Sequence, residues 1–117
     1  YNPDLDMAII RINRKLNPLH IYDGKQKLAR GQKVVAIGSP LGLFNSVSDG
    51  IISGFRTIKD ESMIQFTAPI SPGSSGGAVL NMQGELIGIS TAGIDNGQNI
   101  NLAVDYENIL LFTRGFR

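Results

Sequence analysis

At 117 residues, with 42% hydrophobic and 18% charged side chains, the chain is long enough for one domain that buries about two thirds of the surface its unfolded form exposes. The absence of cysteine excludes disulfides, thiol catalysis and cysteine-based zinc sites. A net charge of +1 gives no electrostatic footprint for nucleic acid, and no apolar run approaches the ~20 residues that span a bilayer. Seven of the eleven Lys and Arg lie between Arg11 and Lys33, but they are spread along a polar stretch without interleaved aromatics and read as a solvated face.

Residues 7–13, Met-Ala-Ile-Ile-Arg-Ile-Asn, are short and β-branched and predict a strand, buried on both faces near its start where Ala8, Ile9 and Ile10 are consecutive. Residues 14–30 are polar, with Asn17-Pro18 and Asp23-Gly24 as turn signals, and read as a crossing loop. Residues 33–38 form the next predicted strand, stopped by Ser39-Pro40-Leu41-Gly42. Residues 47–58 form another, in which Gly50 and Gly54 suggest bulges or tight bends. A polar tip at Lys59-Asp60-Glu61 turns the chain into a strand over 62–68. Further on, strands at 78–80 and 85–91 are joined by Asn81-Met82-Gln83-Gly84, with Gly84 suited to the left-handed position. A glycine-bearing loop at 93–98 and a short strand at 100–104 follow. The chain then ends in a helix capped by Asp105, with Ile109, Leu110 and Phe112 on its apolar side. Short strands joined by tight turns, with one terminal helix, predict an all-β antiparallel barrel or sandwich.

Residues 71–77, Ser-Pro-Gly-Ser-Ser-Gly-Gly, lie between two apolar strand-like runs, where a flexible linker would not be expected. Ser75 has a glycine two residues before it and two directly after it. Such a backbone can take positive φ and hold a hydroxyl clear of neighbouring side chains. The amides of Gly73 and Ser75 could then converge on the negative oxygen of a tetrahedral intermediate. On its own, Gly-x-Ser-Gly-Gly is a common turn, so its meaning depends on what accompanies it.

The accompanying segments are Asp-Met-Ala-Ile-Ile-Arg-Ile from Asp6, then Val-Ala-Ile-Gly-Ser-Pro-Leu-Gly-Leu, Ser-Val-Ser-Asp-Gly-Ile-Ile-Ser, Ile-Gln-Phe-Thr-Ala-Pro-Ile-Ser-Pro-Gly-Ser-Ser-Gly-Gly, Gly-Glu-Leu-Ile-Gly-Ile and Asn-Leu-Ala-Val. In this order they resemble trypsin-like serine proteases of the chymotrypsin fold, in particular the HtrA/Deg-like branch, over essentially the whole chain. The resemblance implies an antiparallel six-stranded Greek-key barrel, the second barrel of that fold, with a short C-terminal helix. It implies Ser75 as nucleophile, Asp6 as the triad acid that orients and stabilises a histidine, and the amides of Gly73 and Ser75 as the oxyanion hole. It places Ile89, Ser90, Thr91 and Ala92 on the strand edge that receives an extended polypeptide and walls the specificity pocket. Pro69, six residues before Ser75, stands where trypsin carries an acid, which implies an apolar pocket for small or aliphatic side chains. No metal or other cofactor is implied, and the family setting suggests a bacterial periplasmic or secreted protein.

The family order is His, Asp, Ser, yet the sole histidine, His20, follows Asp6 in a turn-rich loop and reads as a surface residue. The first residue is Tyr1 rather than methionine. The expectation is therefore the C-terminal half of a protease: residues 1–30 as the last strand of an N-terminal barrel plus the crossing loop, and 31–117 as the C-terminal barrel and helix. Without its histidine this part alone should be nearly inactive. Without its barrel partners, strand 7–13 should pair with another chain, fold back on its own barrel or be swapped between copies. The alternative function is a catalytically inactive protease-like barrel serving as a peptide-binding or scaffold module.

Overall fold

The computed structural model describes residues 3, 5, 7–13, 15–38, 46–58, 60–70, 75–91 and 101–116. Six strands form: β1 (Lys33–Gly38), β2 (Ser46–Ile58), β3 (Glu61–Phe66), β4 (Ala78–Leu80), β5 (Leu86–Thr91) and β6 (Asn101–Asp105), followed by helix α1 (Tyr106–Thr113). Every strand pair is antiparallel, and the order β1-β2-β3-β6-β5-β4 closes into a barrel, as the resemblance implied.

Alternation along the strands fills the barrel. Val34 and Ala36 of β1, Ile52 of β2, Ile64 and Phe66 of β3, Val79 of β4, Ile87 of β5 and Ala103 of β6 are all buried in one cluster, with Ala68 beyond the end of β3. Leu102, Ala103 and Val104 of β6 are consecutive and all buried, because the outer face of this strand is covered as well. A second cluster supplies the cover: Val104 packs with Ile109 of α1 and with Leu5 and Met7, flanked by Ile89 and Phe112. Asp105 caps α1 by accepting from the Asn108 amide at 3.0 Å, which satisfies one of the orphan donors of the first turn.

The loop over residues 15–32 crosses the outside of the barrel. His20 and Tyr22 bond to Leu86 on β5: the Leu86 amide donates to the His20 carbonyl (2.8 Å), and the Tyr22 amide donates to the Leu86 carbonyl (2.9 Å). Tyr22 also packs edge-on against Tyr106 of α1, with ring centroids 5.0 Å apart.

Two expectations need correction. The stretch 7–13 forms no ladder among the described residues. Met7 is buried, but Ala8 is exposed, Ile10 is 82% exposed and Ile12 54% exposed, so the segment is not buried on both faces. The reason is geometric, since the described strands already pair with one another around the closed barrel and leave 7–13 no long edge to join. Leu5 and Met7 pack against Val104 and Ile109, Met7 also makes an isolated backbone bridge, and Ala8 and Ile9 border a cleft against β5 and α1. The second correction concerns β2, where the register shift lies between Ile52 and Gly54 and not at Gly50, whose pairing with Val34 is regular. Gly50 is required for a close approach: a methyl there would sit 2.3 Å from the Ala68 nitrogen.

The expected turns at 39–42 and 93–98 lie outside the described residues. Among the described residues no helix is long and apolar enough to cross a membrane.

Candidate active site

Ser75 is exposed and stands in the turn that precedes β4. Gly76 follows with φ of +92°, in left-handed backbone that favours glycine, although a methyl there would meet nothing within 4 Å. The glycine is thus required by the bend rather than by crowding.

Ser90 of β5 holds this bend from below. The Gly76 amide donates to the Ser90 carbonyl at 2.7 Å, the Gly77 amide to the Ser90 hydroxyl at 3.1 Å, and the Ser90 amide to the Gly77 carbonyl at 2.9 Å. Ser90 is only 4% exposed, so leaving its own groups unpaired would be costly, although Gly76 across from it is exposed. Serine in a strand suggests an outward polar position. Here the hydroxyl turns inward, and only the glycine pair opposite it could have signalled that role. Ser75 itself is exposed and makes no hydrogen bond among the described residues.

Beside the bend lies a cleft of about 230 Å³, lined by Met7, Ala8 and Ile9 from the N-terminal segment, Gly76, Ile89 of β5, and Ile109, Phe112 and Thr113 of α1. The residue after Asp6 and the residue after Ser75 therefore border one cavity. Asp6, Gly73 and Ala92 lie outside the described residues.

Along β5, Ile89 pairs with Ala78 on one side and Val104 on the other, and Ser90 is engaged by Ala103 on one side and the Gly76-Gly77 backbone on the other. Thr91 pairs with Leu102 of β6 and has no partner on its other side among the described residues. An added strand could thus start at Thr91. Pro69 is exposed, and its carbonyl accepts from the Ser48 hydroxyl at 2.7 Å.

His20 is elsewhere. Its Nε2 lies 3.6 Å from a carboxylate oxygen of Glu85, and its carbonyl is tied to Leu86, the first residue of β5. Ser90 is four residues further along that strand, roughly 13 Å at the usual rise. Glu85 in turn accepts from the side-chain amide of Asn81, a buried residue that organises the β4–β5 turn.

Among the described residues no group of three or more His, Asp and Glu side chains is placed to hold a metal. Among the described residues the carboxyl with a distinct shift is that of Asp105: burial pushes it above its ordinary value of 3.8, partly offset by the bond from the Asn108 amide. It belongs to the helix cap and not to the Ser75 bend.

Comparison with known proteins agrees with this architecture. The chain is 35% identical to a probable periplasmic serine endoprotease, DegP-like, of Pseudomonas fluorescens over 93% of its own length and 26% of the relative's. It is 38% identical to Protease Do-like 1, chloroplastic, of Arabidopsis thaliana over 90% of its own length and 27% of the relative's. The chain thus spans about a quarter of the curated relatives it matches. Among solved structures, a variant of the HtrA-type protease AlgW with a tripeptide superposes with a TM-score of 0.87 at 31% identity, over 97% of this chain and 40% of that one. The serine endoprotease from Yersinia pestis superposes with a TM-score of 0.71 at 32% identity, over 83% of this chain and 34% of that one. The family model for the trypsin-like peptidase domain matches residues 1–89, and the chain belongs to that family.

Proposed function

We propose that this chain supplies the nucleophile and the acid of a serine endopeptidase that cleaves peptide bonds through an acyl-enzyme on Ser75. The observation that carries the reading is the shared cleft, because Met7 and Gly76, the neighbours of Asp6 and Ser75, line the same 230 Å³ space.

In this mechanism the Ser75 hydroxyl attacks the substrate carbonyl as its proton passes to a histidine held by Asp6. The amine leaves with that proton, and water then releases the acyl group. The oxyanion is assigned to the amides of Gly73 and Ser75, a choice supported by the engagement of the Gly76 and Gly77 amides with Ser90. His20 stands at the far end of β5, paired with Glu85, so the base would come from a histidine outside these 117 residues, in an N-terminal barrel. These residues alone are then nearly inactive. In the same reading, residues 1–30 join the two barrels and 31–117 form the second.

The substrate is a polypeptide laid as a β-strand along the free side of Thr91 towards Ala92, with an apolar pocket at Pro69 that favours small or aliphatic side chains. Relatives solved with a decapeptide and a tripeptide support this choice. The relative named as periplasmic supports a periplasmic or secreted setting.

The test is a fluorophosphonate probe on the full-length protein. Labelling of Ser75 that disappears in Ser75→Ala is the expected result. A folded protein that takes up no label would favour the inactive peptide-binding module instead.

A further inference from the structure

The second and third residues after β3, Ala68 and Pro69, are held by side chains from the two strands that flank it. Sheet pairing on this side ends when the Thr67 amide donates to the Ile51 carbonyl at 3.0 Å. The next two carbonyls have side-chain partners: Asn101 Nδ2 of β6 donates to the Ala68 carbonyl at 2.7 Å, and the Ser48 hydroxyl of β2 donates to the Pro69 carbonyl at 2.7 Å. Gly50 completes the fit by leaving room for the Ala68 backbone, which a methyl group would meet at 2.3 Å.

Pro69 is exposed, so its carbonyl could bond to water at little cost, and the Ser48 bond therefore contributes orientation more than stability. Three features from two strands thus converge on one dipeptide, of which Ala68 is buried in the barrel core while the exposed Pro69 is left to the Ser48 bond for its orientation.

We propose that Ser48 and Asn101 are positioning residues that fix the Ala68-Pro69 backbone and thereby set the side-chain selectivity of the site. The inference rests on the protease reading for its link to selectivity, but not for the anchoring itself. Ser48 acts at a distance from the reacting atoms, through the Pro69 carbonyl, and Asn101 acts through the neighbouring one.

The experiment compares Ser48→Ala and Ser48→Thr with wild type in the full-length protein. One readout is kcat/KM on matched peptides with valine or phenylalanine before the cut. The other is hydrogen exchange at the Thr67 amide, which donates to the Ile51 carbonyl beside the anchored dipeptide, with Tm as a control. The expected result for Ser48→Ala is a valine-to-phenylalanine ratio changed at least fivefold and Thr67 exchange at least tenfold faster, with Tm within about 3 °C. Ser48→Thr, which keeps the hydroxyl, should stay near wild type in both.

A ratio and an exchange rate both within twofold of wild type in Ser48→Ala would overturn the proposal, as would equal defects in Ser48→Thr. If the wild-type protein cleaves neither peptide and takes up no fluorophosphonate, the protease reading fails by itself. The exchange readout then decides the anchoring: faster exchange in Ser48→Ala alone upholds it, and unchanged exchange refutes it.

Discussion

Replacing Gly50 by alanine tests whether close approach governs the junction between β2 and the segment after β3. The added methyl would lie 2.3 Å from the Ala68 nitrogen, 2.7 Å from its Cα and 2.7 Å from the Thr67 hydroxyl oxygen. Ordinary contact between such atoms is about 3.5–4.0 Å, so backbone must retreat by roughly 1 Å. That retreat pulls on two bonds, Ile51 amide to Thr67 hydroxyl and Thr67 amide to Ile51 carbonyl, both 3.0 Å. Each is worth about 1 kcal/mol net, and overpacking adds about 1–3 kcal/mol, which together give roughly 3–5 kcal/mol of destabilisation. For a domain of this size the melting temperature should fall by about 10–20 °C. Gly54→Ala is the control, because its nearest neighbours would be 3.9 Å away, and its loss should stay under about 1 kcal/mol. Thermal melts of the two variants beside wild type decide the matter. A Gly50→Ala protein melting within about 3 °C of wild type, or no lower than Gly54→Ala, would refute the reasoning.

Phe66→Ala removes the largest fully buried side chain and should cost about 3–5 kcal/mol, read as a lower urea midpoint. Asn81 is 3% exposed, its carbonyl oxygen accepts from the Gln83 and Glu85 amides, and its amide donates to Glu85. Asn81→Ala should therefore cost about 2–4 kcal/mol, with faster exchange at the Gln83 and Glu85 amides. Burial raises the Asp105 carboxyl in the folded state, so the fold binds that proton more tightly than the unfolded chain does. Its contribution to stability is fully present below the ordinary value of 3.8 and is lost as pH rises through the raised folded value. Asp105→Asn keeps an N-cap that does not titrate, so its stability relative to wild type should improve from pH 3 to pH 7; a flat or opposite trend in urea unfolding would refute this.

Strands whose limits follow from local chemistry were legible in the sequence. β1 was expected at residues 33–38 and β4 at 78–80, and both form there, since each is a short apolar run closed off by charge or turn residues. Gly84 takes the left-handed φ of +80° that its turn demanded, and Asp105 caps α1. Ends set by side-chain hydrogen bonds were not legible. β3 stops at Phe66 rather than residue 68 because Ser48 and Asn101 take over the backbone beyond it, and β5 begins at Leu86 because the Glu85 amide is bound by the Asn81 side chain. Residues 7–13 carry the composition of a strand, but pairing is a property of two segments, and the described strands are already paired with one another around the barrel. Around the candidate site, the exposed Ser75 and the bend at Gly76 follow from the glycine-rich run, whereas the inward Ser90 hydroxyl depends on a contact thirteen residues away in sequence.

Ring closure of the sheet also governs how copies of this domain can meet. Among the described residues each strand is flanked by two others, so open positions are confined to strand ends such as Thr91, too short a row to template fibre growth. Adhesion is left to exposed apolar side chains, on the ribbon bearing Ile10, Ile12, Leu16 and Leu19 and on β2 at Val47, Ile51 and Phe55. Solubility should accordingly respond to polar replacement at either place.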